Sequence, residues 1–284
     1  MTTSSVDQGF ELYFAEVDFS SAKDLHGKAW LAAMNGKIWN ALKSGAITYD
    51  RSSVLRDGYA DVADGEDGRK VVTIPSLEAV EEEYVQNPIN EFHATCRELA
   101  QQLKAKLKMD GAVDNVEVFG CAGNGEAHYI LILTKDGKDY LMDVGYSQPV
   151  PVLVPLDGKP AVSSFYPEVS EGSAQIYGGR TRYSAARDGE GQDARVGFVI
   201  IQGDSVQKSF TFKRMTPELD KQIVATWLKA TGKAYSTSVD ESQRLVRQAI
   251  DNPRAGLFME LHKHVDTGVK AGKELGELIE VQYR

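Results

Sequence analysis

His128-Tyr-Ile-Leu-Ile-Leu-Thr-Lys-Asp-Gly-Lys-Asp-Tyr-Leu-Met-Asp143-Val-Gly-Tyr-Ser147 is the stretch that decides the fold of this chain. Two apolar runs flank Asp136-Gly137, and Asp-Gly between such runs is a strong hairpin signal. With a two-residue turn, Lys135 pairs with Lys138. Counting back from there, Ile130 lies opposite Asp143 and His128 opposite Gly145. Opposed residues share a face of the sheet, and so do residues two apart. His128 and Asp143 therefore project from the same side as diagonal neighbours. Such neighbours have α-carbons about 7–8 Å apart, which two polar side chains leaning together can span. Ile130, Ile132 and Leu141 lie on that side; Tyr129, Leu131 and Leu133, with Tyr140, Met142 and Val144 opposite, take the other. Both faces are largely apolar, and a carboxylate there is costly unless paired. Asp143 is thus either the orienting partner of His128 or a strand-end acid held by local N–H groups.

Working outward, the texture changes at Gly111. Before it the chain reads helical. Phe10 to Leu42 carries Trp30, Leu31, Met34, Ile38, Trp39 and Leu42 at spacings of mostly three and four, one apolar helix face. Asp61 to Arg69 reads as an acidic loop punctuated by glycine. Pro75-Ser76-Leu77-Glu78 opens a helix to about Tyr84, and Pro88 closes it. Thr95 and Glu98 form a capping-box pattern at the head of a helix that runs to Lys108. After Gly111, Val116 to Phe119 is a short strand, the hairpin follows, and Val150 to Leu156 continues as an irregular or edge strand among prolines. Val196 to Gln202 and Ser209 to Arg214 form a second hairpin around Gly203-Asp204. Thr216-Pro217-Glu218 is an N-cap, a first-turn proline and an acid, starting a helix to about Ala230. Another helix is expected over 241–250. A helical first third, a β-rich middle and a mixed end make the fold class α+β rather than alternating βαβ.

Cys96 is the first helical residue on this reading. The unpaired N–H groups and partial positive charge of a helix N-terminus favour a thiolate over the free thiol, whose pKa is about 8.5. Cys96 also begins the apolar face Leu99, Ala100, Leu103 and Leu107, so a packing role is the competing explanation. A cysteine with a histidine and an oriented carboxylate is the arrangement nucleophilic catalysis needs. Cys121, in Gly120-Cys121-Ala122-Gly123-Asn124-Gly125, is the rival nucleophile but reads as a loop residue with no helix behind it. His93, three residues before Cys96, is a candidate for lining the site. His26 stands alone in the helical region. His262 and His264 have no Cys or acidic cluster at zinc spacing beside them, so no metal site is expected. Neither a Walker A motif nor Gly-x-Gly-x-x-Gly occurs.

The 284 residues carry a net charge of −9, which argues against nucleic acid or an anionic membrane as the main partner. No run approaches the roughly 18 apolar residues of a membrane span. Met1 to Ser5 has neither a basic start nor an apolar run, so no secretion signal is expected and the expected location is cytoplasmic. The two cysteines do not make a disulfide scaffold.

These residues resemble the arylamine N-acetyltransferase family. In that family a catalytic histidine opens a strand, a short turn follows, and the next strand ends in Asp-Val-Gly-Phe-Gly. Asp143-Val144-Gly145-Tyr146 matches the first four positions with one aromatic swap, and Pro155-Leu156 looks like the continuation. Cys96-Arg97-Glu98 fits the Cys-x-Glu of the family's Arg-Gly-Gly-x-Cys-x-Glu motif, whereas Glu91-Phe92-His93-Ala94-Thr95 does not supply its Arg-Gly-Gly. Phe210-Thr211-Phe212 and the stretch Asp220 to Thr231, with Trp227, faintly resemble the third region.

The resemblance implies a helical N-terminal bundle, a central β-barrel and a C-terminal α/β lid around a cysteine-proteinase-like core, divided at 1–112, 113–205 and 206–284. It implies a Cys96, His128 and Asp143 triad that takes an acetyl or other acyl group from acetyl-CoA or another acyl-CoA, as co-substrate rather than resident cofactor. The acceptor would be a small-molecule amine such as an arylamine or hydrazine. Tyr146, Ser147 and His93 would then line the substrate site. Ser147 replaces the family's glycine, and the lost Gly-Gly changes the cleft wall. Three alternatives stay open: an amide synthase that closes macrolactams from carrier-bound acyl chains, a transglutaminase-like or thiol hydrolase with the same Cys-His-Asp order, and a binding protein that kept the fold.

Overall fold

A computed structural model describes residues 17–44, 48–49, 60–86, 93–94, 96–123, 126–143, 152–159, 181–202, 205–231 and 279–284. The quoted hairpin forms with the expected register. Strands β6 (Glu126–Lys135) and β7 (Lys138–Asp143) pair Lys135 with Lys138 and Leu131 with Met142. Asp136 and Gly137 both take positive φ, 53° and 68°, as a type I′ turn requires.

The hairpin is the middle of a seven-stranded sheet. With β5 (Asn115–Gly123), β8 (Val152–Pro155), β9 (Thr181–Asp188), β10 (Arg195–Gln202) and β11 (Ser205–Arg214), the strand order is β8-β7-β6-β5-β11-β10-β9. A bridge between Asp157 and Ala186, with Gly158 N–H donating to Ala185 O, brings the two edges together. The sheet is therefore nearly closed into a barrel, which leaves little open edge to solvent. The second expected hairpin is β10–β11, in which Gln202 pairs with Ser205. β9 was not anticipated.

Inside the barrel, Phe119, Ile130, Ile132, Leu141, Val154, Tyr183, Val196, Phe198, Phe210 and Phe212 form one core. The outer face of β5–β7 is covered by helices. These are α1 (Gly27–Ser44), α3 (Cys96–Met109) and α4 (Pro217–Thr231), with α2 (Leu77–Gln86) packed on α3. Trp30, Met34 and Ile38 of α1 and Leu99, Leu103 and Leu107 of α3 are buried against Leu131, Leu133 and Met142. The side chains of Trp39 and Leu42 lie outside the described set. A smaller sheet in the order β12-β3-β2 holds β2 (Asp61–Asp64), β3 (Lys70–Ile74) and β12 (Ile279–Tyr283).

Three expectations need correction. Phe10 to Leu42 is expected to be mostly helical, but among its described residues the long helix begins only at Gly27. Residues 17–26 hold only a short 3₁₀ turn at Ser20–Ala22, and Gly27 takes φ +52°, a left-handed conformation that breaks any helix before it. The stretch Asp61 to Arg69 is not all loop: Asp61–Asp64 pairs antiparallel with β3 as an exposed edge strand, its carboxylates facing solvent where charge is cheap. Cys121 is not in a loop either, because β5 continues to Gly123 through glycines that a propensity reading takes as loop. The helix expected over 241–250 lies outside the described residues.

Two helix heads are capped as the sequence suggests, while Thr95 of the expected capping box lies outside the described residues. Leu219 N–H donates to Thr216 Oγ1 at 3.2 Å at the head of α4, and Ala79 N–H to Ser76 Oγ at 3.1 Å at the head of α2. Helix α3 is capped past its end by Gly111, φ +64°, with Gly111 N–H bonded to Lys108 O and Ala112 N–H to Leu107 O, the Schellman pattern.

Candidate active site

Helix α3 begins at Cys96, as its cap pattern implied, and Cys96 is buried. His128 sits on β6 directly across from Cys121 on β5. By strand alternation its side chain shares the barrel-interior face with Ile130 and Ile132, and its ring lies 6.0 Å from that of Phe212. Asp143 ends β7 on the same face. His128 Nε2 donates to Asp143 Oδ2 at 3.0 Å, so the diagonal pairing read from the register occurs. His128 is 1% exposed, while the Asp143 side chain keeps 14% exposure at the strand end.

The environment of His128 sets its protonation. Burial alone pushes the imidazole toward its neutral form. The charge and hydrogen bond of Asp143, then the hydrogen bond and charge of Cys96, act the other way and prevail, holding His128 up at about 10. The structure thus brings together the cysteine at the head of α3, the histidine of β6 and the aspartate of β7. Such a group has a thiol next to a proton-carrying imidazole, itself oriented by a carboxylate, and can attack an acyl carbon and shuttle one proton.

Of the other candidates, His93 belongs to the two-residue strand β4 (His93–Ala94), which pairs with β1 (Thr48–Tyr49); the side chain of His93 lies outside the described residues. Tyr146, Ser147, His262 and His264 are also outside them. His26 is an exposed residue whose Nδ1 contacts Asp136 Oδ1 at 2.8 Å, over the hairpin turn. Cys121 is half-buried beside the barrel core, and neither cysteine is in a disulfide. Among the described residues, no three His, Cys, Asp or Glu side chains cluster as metal ligands, and no helix is long and apolar enough to cross a membrane.

Sequence reasoning missed a second polar group beneath this one. Arg97, Glu98, Gln101, Gln102 and Lys106 of α3 are all buried, although only its apolar face was expected to be. Arg97 Nε donates to Asp220 Oδ1 at 2.9 Å and its Nη2 to Asp220 Oδ2 at 2.7 Å. The Tyr129 hydroxyl donates to Asp220 Oδ1 at 2.7 Å and the Tyr283 hydroxyl to Oδ2 at 2.5 Å. Asp220 reads in sequence as a first-turn acid that complements the helix dipole. The available signal was a charged pair, Arg97-Glu98, set inside an otherwise apolar helix head.

No protein-family model matches the chain, and no curated protein matches it. Among solved structures, the arylamine N-acetyltransferase of Mycobacterium marinum is similar over 75% of this chain and 70% of its own, at 16% identity and a TM-score of 0.40. The arylamine N-acetyltransferase of M. tuberculosis aligns over 75% and 71%, at 16% identity and a TM-score of 0.38. A variant N-arylamine acetyltransferase of M. smegmatis aligns over 69% of this chain, at 16% identity and a TM-score of 0.38, and the chain spans only 64% of its length. Likeness of this degree leaves the activity to be argued from the site's own residues.

Proposed function

We propose that the protein is an acyltransferase in which Cys96 is the nucleophile, His128 the acid–base and Asp143 its orienting carboxylate. The observation that carries this reading is the buried His128, bonded to Asp143 and adjoining the cysteine at a helix N-terminus. Asp143 takes Nε2, and we assign Nδ1 to the thiol. An imidazole held at about 10 is protonated at neutral pH and supplies a cation beside the sulfur.

Two half-reactions follow. The Cys96 thiolate attacks the carbonyl carbon of an acyl thioester, and the tetrahedral intermediate collapses to acyl-Cys96. The leaving thiolate takes the His128 proton. An amine then attacks acyl-Cys96, His128 accepts the amine proton, and the amide leaves with thiolate and imidazolium restored. On the motif resemblance at Cys96-Arg97-Glu98 and Asp143-Val144-Gly145-Tyr146, the donor is acetyl-CoA or another acyl-CoA and the acceptor an arylamine or hydrazine.

The test is a turnover screen of acyl-CoA donors against aromatic amines and hydrazines, read by free thiol release. Amine-dependent release that Cys96→Ser abolishes, and that Cys121→Ser largely retains, supports the proposal. Release without amide formation favours the thiol hydrolase. Activity that survives in Cys96→Ser and is lost in Cys121→Ser contradicts the choice of nucleophile.

A further inference from the structure

The buried group around Asp220 links the elements that carry the two reactive side chains. Arg97 is the residue after Cys96 on α3, and Tyr129 is the residue after His128 on β6. Both bind one carboxylate, from the first turn of α4. Each Asp220 oxygen accepts two donors: Oδ1 from Arg97 and Tyr129, Oδ2 from Arg97 and Tyr283. Asp220 is 0% exposed, Arg97 2% and Tyr129 4%. Arg97 Nη2 also donates to Pro75 O at 2.9 Å, reaching the loop before α2.

The direction of these side chains matters. Successive strand residues point to opposite faces, so Tyr129 leaves β6 toward the helices while His128 points into the barrel. The carboxylate thus grips the strand from behind the histidine and the helix from beside the cysteine, without occupying the space where a substrate would bind. As a stability device a buried ion pair is close to break-even with apolar packing. What it adds is one fixed geometry, through a bidentate fork and directional hydrogen bonds.

Resting on the catalytic reading above, we infer that Asp220 is a positioning residue: by clamping Arg97 and Tyr129 it sets the separation of the Cys96 sulfur from the His128 imidazole. Burial, followed by the Asp220 charge, raises the Tyr129 phenol well above its ordinary range, so it remains a donor across the working pH. Tyr283 binds the same carboxylate but from β12, which adjoins neither reactive residue, and so is the internal comparison.

The experiment measures the rate of Cys96 alkylation by iodoacetamide from pH 5 to 9, by peptide mass, in the unmutated protein, Tyr129→Phe and Tyr283→Phe, with Cys121 as internal reference. Each Phe variant removes one hydroxyl and leaves the Asp220–Arg97 pair intact, so both should fold; thermal midpoints check this. Tyr129→Phe should slow Cys96 at pH 6 by about five- to tenfold and move its profile toward that of Cys121. Tyr283→Phe should stay within about twofold at a similar loss of thermal midpoint. A Tyr129→Phe profile superposed on the unmutated one overturns the inference, and so do equal shifts in both variants, which mean general loosening. If Cys96 and Cys121 already behave alike in the unmutated protein, the catalytic reading itself falls and the positioning role with it.

Discussion

The two faces of β6 each meet a carboxylate with its partners, and the two are built differently. On the inner face Asp143 meets His128, whose charge depends on a proton, and stays 14% exposed at a strand end. On the outer face Asp220 is wholly enclosed and bound to a guanidinium and two phenols. Arginine does not lose its proton at any pH a protein meets, and the phenols are held protonated by burial. One face therefore holds a group that can exchange a proton in use, and the other a group that cannot. Chemistry and rigidity are separated by the thickness of one strand.

Substituting each carboxylate by its amide gives the largest expected contrast. Asp143→Asn should lower kcat/KM by about three to four orders of magnitude, because an amide neither stabilises the imidazolium nor fixes its tautomer. Its loss of stability should follow the proton on His128, present at neutral pH and gone above about pH 10. Asp220→Asn should cost up to about 3–5 kcal/mol at every pH, leaving buried Arg97 with only Glu98, 3.6 Å away, as counter-charge. Urea denaturation at pH 7 and above pH 10, together with steady-state kinetics, checks both; stability losses with the same pH dependence would erase the distinction.

The pH dependence sharpens it. His128 is raised to about 10 in the folded protein from an ordinary value of 6.5. Its contribution to stability is full below the unfolded value and is lost as pH rises through the folded one. Urea midpoints should therefore decline between about pH 6.5 and pH 10, and His128→Gln should flatten the part of that slope due to this residue. Removing the outer-face phenol in Tyr283→Phe should leave the slope unchanged.

A smaller effect is expected where α4 approaches β5. A Cβ on Gly120 would fall 2.5 Å from Ile223 Cδ1 and 2.5 Å from Met215 Cε. Both are ends of flexible side chains, so Gly120→Ala should cost about 1 kcal/mol in a urea titration. The smallest effect belongs to the exposed His26–Asp136 contact, 2.8 Å long at the hairpin turn. His26→Ala should change stability by less than about 0.5 kcal/mol, measured the same way.

What was readable from sequence was local. Asp136-Gly137 dictates a two-residue turn, the turn dictates the register, and the register brings Asp143 to His128. Thr216-Pro217 and Gly111 mark helix ends because their own backbone groups make the caps. Strand β9 was missed because Thr181–Asp188 has little alternation beyond Tyr183 and Ala185; its pairing with β10 supplies what its own pattern lacks. Strand β12 pairs in parallel with β3, far away along the chain, and no local signal announces that. The Arg97–Asp220 clamp was hidden for the same reason: each residue alone reads as a dipole or solubility charge, and only the packing of α4 on β5 and β6 makes them partners.

The proposed chemistry rests on Cys96 being the acyl-accepting nucleophile. It is tested most directly by intact-protein mass after brief exposure to acetyl-CoA without amine, followed by peptide mapping. A single added acetyl group is expected on Cys96, absent in Cys96→Ser and discharged on adding an aromatic amine or hydrazine. An unmodified Cys96 across a series of acyl-CoA donors, or an acyl group carried on Cys121, would contradict it.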